Sequence, residues 1–481
     1  MAYKHGIYGE EIATALAPMV SVDSGLPVVT GTAPIHLASN PAAANKPVLC
    51  STYKEAVEQL GYSSDWKNYT LCEMIYSHFK LFGVAPIVFI NVLDPGTHKA
   101  AVPQTKATVE NGTVTLADPV ILTSLVVKKT ASDTDALVLN VDYTAAYDDN
   151  EKLVITPLTS GSIATATEIY VAYDKVDPSV VKKENIIGGV DVKTGKYMGM
   201  ENIDLVYSLF RLVPGTILAP GWSHYPDVAA VMKAKTTGID GHFEAICLCD
   251  VDTEAVTKYS DVSAWKDKNN ITGAYQVSYW PMLSLSGKKF HMSTQMAGLM
   301  CYTDSNNEDI PYQSPSNKTL QCDSTILDDG TEITLNMSTA NYLNGIGVAT
   351  ALNYGGWIAW GNRTAIYPTS TDPKDAFVNI RRMFNWVNNT LITSFWSKID
   401  NAMNKRLISS ILNSANIWLN GLTARGFILG GYVELRSDEN PTTDLEDGII
   451  KFHVHIAPPP PAREIVFTQE YDTSYFAALF A

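Results

Sequence analysis

The hydrophobic period of this sequence changes twice. From Leu26 to Val92, short apolar runs alternate with helix-spaced ones; from about His98 to Tyr173 the pattern becomes short alternating Val, Thr and Leu segments; after Ile186 the first pattern returns. Strands alternating with helices build a parallel sheet covered by helices, whereas closely spaced short strands build a sheet-only domain. The order therefore predicts an α/β body interrupted by a small all-β domain, α/β in class and α+β as a multidomain whole.

The first block holds an apolar stretch at Leu26 to Gly31 and a strand at Ile87 to Val92, with two helices between. Each helix opens on a capping box, Thr52-x-x-Glu55 and Thr70-x-x-Glu73, and each stops at a glycine, Gly61 or Gly83. Inside the interruption, Asn111-Gly112 between Lys106 to Glu110 and Thr113 to Ala117 signals a hairpin. The second block reads as strand (Thr216 to Leu218), helix (from about Pro226) and buried strand (Phe243 to Cys249, ending in Asp250), the unit of a parallel sheet. A long helical region follows at about Ala376 to Leu419, where Phe377, Ile380, Phe384, Val387, Leu391, Phe395 and Ile399 form one broad apolar face.

The last strands are separated by prolines. Gly448 to Ile456 alternates, Pro458 to Pro461 interrupts, and Glu464 to Thr468 (EIVFT) resumes. A proline run cannot continue a ladder, so the final strand is turned away from the preceding one. Beyond so stiff a spacer, a strand-forming segment is suited to join the sheet edge of a neighbouring molecule. Gly6 to Met19 is a second arm of this kind. Both ends can equally fold back on their own domain.

At 481 residues the chain exceeds what a single core organises, so several domains are expected. Hydrophobic residues make up 46% and charged residues 18%, which leaves a surface of Ser, Thr, Asn and Gly suited to packing against copies of itself. A net charge of −15 argues against a nucleic-acid backbone as direct partner. Met1 to Glu10 lacks a basic stretch followed by an apolar one, and no uncharged apolar run reaches membrane-spanning length, so neither a signal peptide nor membrane insertion is expected. Six cysteines, irregularly spaced, fit reduced thiols better than a disulfide framework.

Several short constellations invite a chemical reading. Asp23-Ser24-Gly25 resembles the aspartate box of a subtilisin-type protease, and Ser293 to Gly298 loosely resembles its serine box. The triad also needs a histidine base, and none of His36, His78, His98, His224 or His242 lies in a suitable context. Asp23 and Ser293 are then turn or cap residues. His453-x-His455 and Cys247-x-Cys249 each put two ligand-type side chains on one strand face, but a closed metal site wants about four. No metal, cofactor or catalytic residue is expected. The pairs Gly188-Gly189, Gly355-Gly356 and Gly430-Gly431 read as turns. The basic doublets Arg381-Arg382 and Lys405-Arg406 read as solvated or helix-capping; the sharper alternative for Lys405-Arg406 is a grip on an acidic partner.

Taken together, several segments resemble the phage tail sheath family over nearly the whole chain: Gly25 to Ala38 (GLPVVTGTAPIHLA), Asn45 to Tyr62, Glu184 to Val206, Thr216 to Ser223, Ser314 to Gln321 (SPSNKTLQ), Trp360 to Pro368 (WGNRTAIYP), Val378 to Val387 (VNIRRMFNWV), and the run from Leu422 to Thr468. The resemblance implies a sheath core with a subtilisin-like but non-proteolytic middle domain, which accounts for the partial boxes. It implies an N-terminal arm (1–20), an α/β part (21–97), an inserted β domain (98–183), a middle domain (184–367), a C-terminal sheath domain (368–461) and a C-terminal arm (462–481). It further implies hexameric rings stacked around a tail tube and contracting to drive it through a cell envelope, in a virion tail or related particle assembled in the bacterial cytoplasm. The implied partners are copies of the chain, the tube protein, and baseplate and tail terminator proteins. Gly6, Ile7, Tyr8, Ile12, Ile465, Val466, Phe467 and Thr468 become exchanged-arm residues, and Lys405 and Arg406 face the tube. The competing readings are a subtilisin-like protease, which lacks the histidine, and a surface-layer or adhesion protein, which lacks a secretion signal.

Overall fold

The fold is that of a computed structural model, which describes Met19 and residues 24–480. The first block contributes strands β1 (Pro27–Gly31), β2 (Pro47–Cys50) and β3 (Ile87–Asn91), with helices α1 (Tyr53–Leu60) and α2 (Thr70–Tyr76) between β2 and β3. Thr52 caps α1 as read, its hydroxyl accepting from the Glu55 N–H at 3.1 Å, while the Glu55 carboxylate accepts from Ser51 N–H at 2.8 Å. The second capping box does not form. Thr70 is instead the first helical residue, and its N–H donates to Thr32 Oγ1 at the end of β1 (3.1 Å). With that amide satisfied from outside the helix, Glu73 is free to turn elsewhere.

Residues Lys99 to Val176 form two three-stranded sheets. The strands are β4 (Lys99–Thr108), β5 (Val114–Leu116), β6 (Val126–Lys128), β7 (Tyr143–Tyr147), β8 (Leu153–Pro157) and β9 (Glu168–Val176), ordered β4-β9-β6 and β5-β8-β7. They enclose a core of their own, with Val127, Leu153, Ile155, Ile169 and Val171 at its centre. Asn111 and Gly112 take positive φ (51° and 81°), as a tight hairpin turn requires. The flanking strands then part, because the ten-residue β4 pairs with the nine-residue β9 while β5 pairs with β8.

The α/β pattern resumes with β10 (Thr216–Leu218), α3 (Pro226–Ala234), β11 (Ile246–Asp250), α4 (Val262–Lys268), β12 (Gln276–Tyr279), α5 (Met292–Ser305), α6 (Met337–Gly345), β13 (Val348–Asn353) and β14 (Trp357–Trp360). The strand read from Phe243 is broken: Phe243–Glu244 pairs with Thr237–Ile239 in a separate hairpin, and β11 begins at Ile246. One eight-stranded sheet runs β2-β3-β1-β10-β11-β12-β13-β14, parallel throughout except for its two antiparallel edge strands. The parallel strands are buried on both faces and read as near-continuous apolar runs. The chain moves from β1 outward to β3, then crosses back to place β10 on the other side of β1. Strand order therefore reverses between β1 and β10.

The helical region read as continuous is two helices, α7 (Val378–Phe395) and α8 (Lys405–Ala424). The apolar repeat serves α7, but Ile399 is exposed, Asp400 takes φ 62°, and Asn404 restarts the helix by accepting from Leu407 N–H at 3.0 Å. Strands β15 (Gly430–Glu434) and β16 (His453–Ala457) form a two-stranded antiparallel sheet that packs on α8 around Met383, Trp386, Leu419 and Val433. Gly430-Gly431 therefore lies in a strand and not in a turn; a Cβ on Gly431 would stand 2.9 Å from the His455 carbonyl oxygen.

Candidate assembly site

The carboxyl ends of the parallel strands are where an α/β sheet ordinarily works, at the point where strand order reverses. A cavity of about 750 Å³ lies there, lined by Thr70, Glu73, Trp222, Asp250 and His291 among others. Its floor is the amino end of α5, whose first amides lack helical partners. Two carboxylates fill that end. Glu73 Oε1 accepts from His291 N–H (2.6 Å) and from the Thr294 hydroxyl (2.7 Å), and Glu73 Oε2 lies 2.8 Å from His291 Nδ1. Asp250 Oδ1 accepts from Ser293 N–H (2.9 Å), and its Oδ2 accepts from the hydroxyls of Ser293 (2.5 Å) and Ser223 (3.2 Å).

Burial alone would lower the His291 pKa, but the charge and hydrogen bond of Glu73 outweigh it and raise the imidazole to about 9. Burial raises the Asp250 carboxyl, against the pull of His291 and the bonds from Ser293. A histidine thus stands two residues before Ser293, one the sequence reading passed over, but it is an imidazolium paired with Glu73. The Ser293 hydroxyl donates to a carboxylate instead of to a base. The arrangement caps a buried helix and offers no activated nucleophile. Of the aspartate box, Asp23 lies outside the described residues, and Ser24 Oγ donates to Asp304 Oδ2 at 3.0 Å.

Asp304, at the far end of α5, also receives Arg382 of α7, through Nη1 to Oδ1 at 3.2 Å and through Nη2 to Oδ2. Both side chains are buried. Arg381 is buried too, donating through Nε to Asn385 Oδ1 (3.0 Å) with its guanidinium 4.6 Å from the Tyr275 ring centre. The Arg381-Arg382 doublet, read as solvated or helix-capping, is instead buried and joins α7 to α5 and to the segment before β12. Cys247 and Cys249 are buried in β11. Among the described residues no group of His, Cys, Asp or Glu is placed to hold a metal ion, and no helix is long and apolar enough to cross a membrane.

The C-terminal region contrasts with this closed interior. Trp396, Ile399, Met403, Leu429, Tyr432 and Leu435 are all exposed there. His453 and His455, the pair of ligand-type side chains, lie on one face of β16, with Nδ1 2.7 Å from Glu439 Oε1 and Nε2 3.1 Å from Glu434 Oε1 respectively. Lys405 and Arg406 are exposed as the first two residues of α8, with no acidic residue in that turn. Pro458 is buried, and Asn379 of α7 donates to the Pro459 carbonyl at 3.4 Å, so the proline run is held against α7 as it leaves β16. Ile465, Val466, Phe467 and Thr468 follow outside any strand and exposed, Phe467 at 86%. Gly6, Ile7, Tyr8 and Ile12 lie outside the described residues.

No family model matches the chain. The tail sheath protein of Burkholderia phage BcepMu is 25% identical to it over 99% of this chain and 98% of that protein. The chain is thus similar over nearly its whole length to a phage tail sheath protein. A putative prophage major tail sheath protein of Pseudomonas aeruginosa is also 25% identical, over 64% of this chain and 77% of that protein. Solved structures share the fold at low identity. A chain of the contracted sheath complex of PVC, an extracellular contractile injection system, superposes with a TM-score of 0.58 at 12% identity, covering 98% of this chain and 99% of the other. A chain of the six-fold symmetrised baseplate of the anti-feeding prophage gives 0.56 at 12% identity, over 98% and 100%.

Proposed function

We propose that this sheath subunit polymerises as stacked hexameric rings around a tail tube and contracts to drive the tube through a target envelope. The observation that carries the reading is the incompleteness of the C-terminal region. A strand-forming segment with exposed Ile465, Val466 and Phe467 follows a proline spacer, beside a two-stranded sheet and a group of exposed apolar side chains. A two-stranded sheet is marginal by itself, and completion by main-chain pairing with a neighbour supplies both stability and a polymer contact.

In this reading Gly6 to Met19 and Ile465 to Thr468 are exchanged arms, residues 21–97 and 184–367 share one subtilisin-like body, 98–183 is an inserted β domain, and 368–461 is the sheath domain next to the tube. Lys405 and Arg406 face the tube protein. Cations at a helix amino end cost about 0.3–1 kcal/mol against the helix dipole, a cost that an acidic partner surface offsets. The other partners are copies of the chain, the baseplate and the tail terminator, in a virion tail or injection particle assembled in the host cytoplasm. A head-to-tail contact that does not close generates a helical lattice, and two alternative packings of that lattice store the free energy released on contraction. Negative-stain electron microscopy of the purified chain tests this. Striated hollow tubes from the intact protein, absent after deletion of residues 462–481, are expected; a monodisperse monomer at all concentrations contradicts it.

A further inference from the structure

Resting on the sheath-assembly reading, we infer that Arg363 and Arg463 form a clamp for a carboxylate, and that this carboxylate belongs to a second copy of the chain. The Arg363 guanidinium is packed against two rings, its carbon 3.8 Å from the ring centre of Phe377 and 4.3 Å from that of Tyr367. Contacts this close are made through the faces of a guanidinium, so what stays free is its edge, where the N–H groups fork toward a planar anion. Among the described residues no carboxylate or carbonyl accepts from that edge. Arg381, Arg382 and Arg436, by contrast, each face a carboxylate of their own subunit. The Arg363 position is also firmly built. Thr364 N–H donates to the Ala376 carbonyl (3.2 Å) and Val378 N–H to the Asn362 carbonyl (3.0 Å), which ties the main chain on both sides of Arg363 to the start of α7.

Arg463 supplies the second cation. It follows the proline run that Asn379 holds through the Pro459 carbonyl, and its charge reaches Arg363. Burial, and after it the charge of Arg463, hold the Arg363 pKa below its ordinary value against the pull of Tyr367. The partner of Arg463 among the described residues is Glu464 at 3.2 Å, with both side chains well exposed, an ion pair of the weak surface kind. Two guanidinium groups that repel each other, one with an unpaired edge, are stabilised by an anion between them. Charge identifies its source. Each copy carries 50 Asp and Glu against 35 Lys and Arg, so carboxylates are the commoner charge on whatever face a second copy presents. Head-to-tail packing joins unlike faces, so the clamp meets a different part of the next copy instead of its own image, whose arginines would repel it. A contact of this type fixes register and orientation more than raw affinity.

Carbodiimide coupling on full-length Arg363→Lys tests the source of the carboxylate. The reagent activates a carboxylate, and the introduced amine displaces it to form an amide, the carbodiimide leaving as its urea with one carboxylate oxygen. Arg363→Lys keeps the charge and is expected to assemble. Tubes grown from an equal mixture of light and heavy-nitrogen copies should then give mixed-isotope cross-linked peptides at position 363 by mass spectrometry, and the monomer none. Arg363→Gln is expected to keep the monomer's melting temperature and to raise the protein concentration needed for tubes at least tenfold at low salt; added salt should bring the unmodified chain toward the same threshold. Tubes in which position 363 gives no mixed-isotope cross-link, or an Arg363→Gln variant that assembles at the threshold of the unmodified chain, overturn the clamp alone. An unmodified full chain that forms no tubes overturns the sheath-assembly reading and this inference with it.

Discussion

Regular secondary structure leaves main-chain groups unpaired at the amino end of α5 and along the outer edge of β16, and the chain treats these two places differently. At α5 it recruits Asp250 and Glu73 from 43 and 218 residues away, so the amides are met internally by carboxylates. At β16 it supplies nothing from its own described residues, while a few residues later it exposes a segment of the right composition to do the pairing. The same rule, that main-chain donors and acceptors must be satisfied, is met inside the subunit in one region and, in the proposed assembly, is left to a neighbour in the other. On that proposal, damage to the first region is expected to lower stability, and damage to the second to leave stability nearly unchanged while abolishing assembly.

The largest expected effect lies in the closed region. Removing one partner of the buried Arg382–Asp304 pair, as in Arg382→Met, leaves a buried charge uncompensated and is expected to cost about 3–5 kcal/mol in denaturant unfolding. Next comes Glu73→Gln. The His291 pKa is raised from 6.5 to about 9, so the folded state binds the extra proton between those values. The stabilisation is complete below pH 6.5 and is lost as pH rises through 9. At about 1.36 kcal/mol per unit it amounts to roughly 3 kcal/mol, and Glu73→Gln should abolish that slope in unfolding measured from pH 6 to 10.

A smaller effect with the opposite sign comes from His78, which burial lowers from 6.5 to about 3. Here the unfolded chain binds the extra proton, so stability falls as pH drops below 6.5, by about 2 kcal/mol at pH 5. His78→Phe should flatten that slope whatever it does to stability at neutral pH. The smallest effect belongs to the open region. Deleting residues 462–481 should change monomer stability by under about 0.5 kcal/mol in thermal unfolding, because the side chains of residues 462–480 are exposed. A large loss on that deletion would erase the distinction between the two regions.

What the sequence revealed follows the same division. β1, β3, the first capping residue Thr52 and the Asn111-Gly112 turn were legible because each is decided by neighbours a few residues apart. The proline run was legible as a break, since proline acts locally. The Glu73–His291 pair was not, because its partners lie 218 residues apart and a capping box offered Glu73 a nearer use. One signal was available: an acidic residue in the otherwise apolar stretch TLCEMIY, and Ser-Thr-Gln in the apolar stretch MSTQMAGLM, each mark a helix that must bury polar groups against a specific partner. Arg381-Arg382 was misread for a related reason, since a basic doublet on a helix looks solvated until Asp304 and Tyr275 are brought beside it. Ile465 to Thr468 lie outside any strand in the single subunit, and in the proposed assembly the ladder that would make them a strand belongs to two copies.

Complementation between defective copies tests this account most directly. One variant, lacking residues 462–481, keeps the β16 edge and has no segment to donate; the other, Val454→Pro, keeps the segment and has no edge to receive it. Sedimentation velocity should show each variant alone as a monomer and the equimolar mixture as a one-to-one heterodimer. A mixture that stays monomeric, or a truncated variant that assembles by itself, contradicts strand donation between copies.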